Sequence, residues 1–127
     1  MINIKISYGE LFDKISILEI KKTKLVNSDD IKNVTFELNI LTDALNKSNI
    51  HIHNVNNLLN KLKKVNLQLW EIEDKIREKE KYSLFDDEFI ELARSVYKTN
   101  DKRSKIKKEI NIALKSEVIE IKSYQDY

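Results

Sequence analysis

The side chains best equipped for chemistry fall in three separated stretches of this chain. Arg94, Tyr97 and Asp101 follow one another at i, i+3 and i+7 with Asn100 beside them, and Arg103 joins Thr99 on the apolar seam of the same helical reading. Asn66, Trp70 and Glu73 recur at i, i+4 and i+7 along the edge of a second stripe, while Asp13, Ser16 and Glu19 are threaded among the apolar residues of a third, which also carries Glu10. Arginine offers a planar fork to a carboxylate or phosphate, and tryptophan or tyrosine a stacking face, so the three groups describe a polar ligand pocket inside a helical bundle. They equally describe a buried ion-pair network that fixes helix register, the better attested use of buried polar groups. Either way the Arg103 guanidinium must be neutralised. The expected partners are Glu19, Asp13 and Glu73, in that order, because each borders an apolar stripe.

Other chemistries find little support. His51 and His53 would point to one side of an extended segment, but no further ligand set accompanies them, and a solvated loop is the better reading. Glu71, Glu73, Asp74, Glu88 and Glu91 have helical spacings that suit magnesium, yet such pairs arise by chance in a chain that is 35% charged. Phosphate-cradling loops need glycines, and Gly9 stands alone; cysteine is absent, and no serine sits in a glycine-flanked elbow. No metal and no cofactor is implied.

The elements that must position these residues are helices. With 127 residues, one glycine and no proline, the chain suits a single domain over 1–127 with almost nothing to break a helix. Its 23 basic and 21 acidic residues are interspersed, leaving a net charge of +2 and no one-sign field for a phosphate backbone or a membrane surface. Neither nucleic acid nor membrane is an expected partner, and the lack of a signal-like or spanning run points to the cytoplasm.

Ile2, Ile4 and Ile6 alternate with polar residues, as in a short strand or extended arm with one buried face. Ser7-Tyr-Gly-Glu10 has the form of a capping box and opens a helix from about Tyr8 to Leu25. That helix is apolar on two sides, through Leu11, Ile15, Leu18 and Leu25 and through Ile17 and Ile20, which suits a central helix or a homodimer helix. Asn27 to Asp30 supplies a cap for a second helix with Ile31, Val34, Leu38, Leu41 and Leu45 at heptad spacing, forming a hairpin with the first. Residues 46–54 lose periodicity and read as the most mobile loop. A third helix spans roughly Asn54 to Lys81, and a fourth, capped by Asp86 or Asp87, carries Phe89, Leu92, Val96, Ile106 and Ile110 to about Leu114. Ser116 to Lys122 fits a helical turn or a strand with Ile119 and Ile121 inward, paired with the first arm. The fold expected is an all-α antiparallel four-helix bundle with short extended terminal arms.

Four stretches also resemble a known family. Ser7-Tyr-Gly-Glu-Leu-Phe-Asp-Lys-Ile-Ser-Ile-Leu-Glu-Ile-Lys21, Asn66-x-x-Leu-Trp70-x-Ile-Glu-Asp74, Glu91-Leu-Ala-Arg-Ser-Val-Tyr-Lys-Thr-Asn-Asp-Lys-Arg103 and Lys122-Ser-Tyr124 are similar to an uncharacterised family, a domain of unknown function, of short helical proteins from bacteria and their viruses. The resemblance covers nearly the whole chain. It implies association with glycosyltransferases and surface-polysaccharide genes and supplies no catalytic residues. The family's usual Ser-Pro-Gly-Glu start is Ser-Tyr-Gly-Glu here, which removes a rigid turn and keeps the cap. Chorismate mutases also hold Arg, Lys and Glu inside a helical bundle, a likeness of architecture only. Two functions are expected in consequence. The first is a helical binding or accessory module serving glycosyltransferase or polysaccharide machinery. The alternative is a small helical enzyme or ligand binder acting on an anionic metabolite through Arg94, Tyr97, Asn100 and Arg103.

Overall fold

The computed structural model describes residues 1–127. Four helices and no strand make up the fold: α1 (Tyr8–Lys24), α2 (Ser28–Lys47), α3 (Asn56–Lys81) and α4 (Asp87–Ala113), with a 3-10 turn over Ile52–Val55 before α3. Side chains start three of them. The Ser7 hydroxyl accepts from the Glu10 amide at 3.1 Å, the Asn27 carbonyl from the amides of Asp29 and Asp30, and the Asp86 carboxylate from the Phe89 amide at 2.9 Å. The capping box at α1 is only half formed, because the Glu10 carboxylate turns away to Lys107 and does not reach back to Ser7. Glycine plays no part in ending the helices. Ser83 and Lys115 adopt left-handed φ of 54° and 56°, and the bonds from Leu84 N to Lys79 O and from Ser116 N to Asn111 O close α3 and α4 as Schellman motifs.

The core sits where three helices meet. Phe12 of α1, Leu62 and Val65 of α3, and Ile106 and Ile110 of α4 form its centre, with Leu45, Ile50 and Ile52 packed against it. The chain between α2 and α3 is anchored on the core by Ile50, Ile52 and the buried Val55, while Asn49, His51, His53 and Asn54 are exposed. α2 packs on α1 alone among the helices and buries no residue fully; its heptad residues are half-buried on the α1 side. The two apolar faces of α1 are thus both occupied within the chain, one by α2 and the other by α3 and α4.

Gly9 sets the depth of the α1–α4 crossing. A Cβ there would lie 2.6 Å from the Lys107 carbonyl oxygen and 2.9 Å from Asn111 Oδ1, so the two backbones approach as only glycine permits. From this crossing α1 runs antiparallel to α4, since Gly9, Glu10 and Asp13 meet Asn111, Lys107 and Arg103 in turn. The terminal arms form no ladder. Ile2 and Ile4 are exposed, as are Ile119 and Ile121, and Ser116–Tyr127 is irregular because the left-handed Lys115 has already ended α4. Ile4 and Ile6 merely border a shallow cleft with Ser116 to Val118.

Candidate functional site

The crossing brings one face of α1 against one column of α4. Arg103, Lys107 and Asn111 stand at successive i+4 steps, opposite Gly9 and Asp13, which are also one step apart. Asp13 is the centre, its side chain only 2% exposed. Arg103 grips it with both prongs: Nε donates to Oδ1 at 2.9 Å and Nη2 to Oδ2. From α3, the Asn66 amide donates to Asp13 Oδ1 at 3.0 Å and to the Ser16 hydroxyl at 3.3 Å. Lys107 Nζ reaches Glu10 at 2.8 Å and Glu120 at 3.2 Å, and lies 3.7 Å from Asp13. Asn111 Oδ1 accepts the Gly9 amide at 2.6 Å and the Ser116 hydroxyl at 3.2 Å, and that hydroxyl accepts the Tyr8 amide in turn. Every buried side-chain polar atom has a partner.

The electrostatics follow from this packing. Burial by itself would raise the Asp13 carboxyl, but the hydrogen bonds from Arg103 and Asn66 and the charges of Arg103 and Lys107 outweigh it and hold the group below the usual aspartate value. Burial likewise works against the Lys107 ammonium, and Glu10, Asp13 and Glu120 overcome it to raise that group above the usual lysine value. The centre is therefore a locked ion cluster, unsuited to exchanging protons near neutrality.

Beside the cluster lies a groove. The irregular tail from Ser116 to Tyr127 folds back along α4 and borders a half-open cavity of 640 Å³, a size typical of small-ligand pockets. Arg103 and Lys107 form part of its floor, Asn100, Asp101 and Tyr97 one wall, and Lys122, Tyr124, Gln125 and Tyr127 the other. Beyond the Ser116 bonds, the tail is held down by Glu120 to Lys107, by the Tyr127 hydroxyl to Asp101 at 2.5 Å, and by an edge-to-face pair between the Tyr97 and Tyr127 rings at 5.1 Å.

Of the expected site residues, Glu10, Asp13, Asn66 and Arg103 meet in the cluster, and Tyr97, Asn100 and Asp101 line the groove. The others stand apart. Glu19 pairs with Lys63 at 3.2 Å and Glu73 with Arg77 at 3.6 Å, so the partner of Arg103 is Asp13 and not Glu19, the first expected. Arg94 is exposed and pairs with Glu91, and Trp70 is half-buried on α3 outside the cavity. The sequence reading missed Lys107, Asn111, Ser116 and Glu120; for Lys107 and Asn111 the i+4 steps beyond Arg103 were the available signal. His51 and His53 are exposed, and no group of three or more His, Cys, Asp or Glu gathers closely enough to hold a metal ion.

The model of a family of unknown function (DUF6165) matches residues 2–127. The chain belongs to that family. No curated protein and no solved structure matches it. No helix of this DUF6165 chain is long and apolar enough to cross a membrane.

Proposed function

We propose that this protein is a non-catalytic helical binding module that takes an anionic, sugar-like ligand in the groove between α4 and its tail, in the service of glycosyltransferase or surface-polysaccharide machinery. One observation carries the reading: a 640 Å³ cavity combines Arg103, Lys107 and Lys122, each already paired with a carboxylate of the chain, and Asp101 with the rings of Tyr97, Tyr124 and Tyr127 and the hydrogen-bonding side chains of Asn100 and Gln125. Cations recognise phosphate or carboxylate, and aromatic faces with amides suit the apolar and hydroxylated faces of a sugar. The cluster behind Arg103 serves as a rigid floor, which lowers the ordering cost of binding. Proton transfer is poorly served, since Asp13 is held ionised and shielded. The polysaccharide context rests on the family resemblance of the four sequence stretches.

Calorimetric titration with nucleotide sugars, sugar phosphates and neutral sugars tests the proposal. Saturable binding of the anionic members, weakened by Lys122→Glu and by Tyr124→Ala, is the expected result; no heat with any of them up to millimolar concentration refutes it. Recovery of a glycosyltransferase in a pull-down tests the context separately. If mass spectrometry finds the bound ligand converted, the alternative of a small helical enzyme acting on an anionic metabolite takes its place.

A further inference from the structure

The outer half of the α3–α4 hairpin has no third helix over it. At 1.5 Å per residue, α1 is about 25 Å long while α3 and α4 are each about 40 Å. The result is visible in burial: α3 has no buried residue after Asn66, and α4 has none before Thr99. Leu69, Ile72 and Ile76 of α3 and Phe89, Leu92 and Val96 of α4 continue the apolar seam yet are only half-buried. At the tip, Tyr82, Leu84, Phe85 and Ile90 are exposed, Phe85 by 58% and Ile90 by 53%. A run of large apolar side chains around one end of a molecule marks an interaction surface.

We propose that a second copy of this chain covers this surface, the two hairpins lying side by side about a two-fold axis parallel to them, with their tips together. Area supports this occupant. The chain exposes 9485 Å², whereas a monomeric globular protein of 15.0 kDa exposes about 7,000 Å². The excess of about 2,400 Å² exceeds the roughly 800 Å² that each partner buries in a standard stable interface. Charge supports it as well. α3 ends in Lys79 and Lys81 and α4 begins with Asp87 and Glu88; Lys79 is paired within the hairpin, but Lys81 and Asp87 have no ion-pair partner in their own chain. A two-fold axis that lays α3 on the partner's α4 sets these unpaired charges opposite each other twice and completes a four-helix arrangement in which neighbours are antiparallel. The interface lies away from α1, whose faces are filled within the chain.

Light scattering during gel filtration at micromolar concentration tests this on the full chain. The wild type should run at twice 15.0 kDa, and the double variant Phe85→Glu, Ile90→Glu at 15.0 kDa with an unchanged helical circular dichroism signal. Phe36→Glu, on the exposed side of α2, should leave the dimer intact. Lys81→Glu should raise the dissociation constant about tenfold, and adding Asp87→Lys should restore it. A wild type that stays monomeric overturns the proposal and leaves the tip to a different protein. A dimer that survives the tip substitutions, or one that Phe36→Glu dissociates, places the interface elsewhere and overturns it too. Failure of the charge swap to restore affinity overturns the side-by-side register.

Discussion

Replacing Arg103 by alanine should be among the most costly single changes in this protein. The side chain is 27% exposed, but its partner Asp13 is 2% exposed, so the variant leaves a carboxylate inside the helix crossing without its two strongest donors. Stranding one member of a buried pair costs about 3–5 kcal/mol. The lower end applies, because Lys107 remains 3.7 Å from Asp13, Asn66 still donates to it, and water enters through the space the arginine leaves. With a urea slope of roughly 2 kcal/mol per molar, a loss of about 3 kcal/mol moves the unfolding midpoint down by about 1.5 M. The effect has a defined pH dependence. The folded Asp13 carboxyl lies below its ordinary value, so the pair's stabilisation is present above that ordinary value, near 3.8, and is lost as pH falls through the folded value. The gap between wild type and variant should therefore be full at pH 7 and shrink below about pH 4 as Asp13 takes up a proton. A double-mutant cycle with Asp13→Ala isolates the pair, and its coupling energy should be about 2–3 kcal/mol. A loss within about 1 kcal/mol, or a coupling energy under about 0.5 kcal/mol, would show that the pair does not hold the crossing.

Gly9→Ala gains about 1 kcal/mol of helix propensity but drives a methyl group into the Lys107 carbonyl and Asn111, so a net loss of about 1–3 kcal/mol is expected in urea unfolding. Ser83→Gly and Lys115→Gly relieve left-handed strain at two helix ends, and each should raise stability by about 0.5–1 kcal/mol, read as an upward shift in thermal midpoint. Asp86→Ala removes the α4 cap and the Lys79 bridge together and should lower the thermal midpoint in the same measurement.

Helices and their starts were legible because their signals are local: a serine, asparagine or aspartate before an apolar stripe states its own geometry, and Ser7 caps as read, Asn27 caps from within the expected stretch 27–30, and Asp86 is the one of the two expected aspartates that caps. The identity of Arg103's partner was less legible, because it depends on which face α1 turns to α4. Glu19 lies six residues after Asp13, roughly 120° around the helix, and cannot share that face. Gly9 decides the matter, since the face that approaches α4 must carry it and Asp13 lies one turn beyond. Lys107 was hidden by its type: a lysine on an amphipathic helix ordinarily reads as solvent-facing, and only the three surrounding carboxylates make its burial tolerable. The alternating isoleucines of both arms misled, because period-2 patterning needs a neighbouring strand to become a ladder, and the arms meet only at a shallow cleft.

The stitching of Tyr8 and Gly9 to Ser116 and Asn111 also bears on the order in which the molecule assembles. Those hydrogen bonds span 108 and 102 residues, whereas the Lys79–Asp86 contact across the α3–α4 turn spans 7. Closing the longer loop costs about 2.4 kcal/mol more in chain entropy. The hairpin can form early and by itself, while α1 must search for it across the whole chain. The ionic cluster is then expected to form late, as α1 docks, and to act as a latch on the finished fold: in stopped-flow measurements, weakening it should speed unfolding and leave the folding rate nearly unchanged.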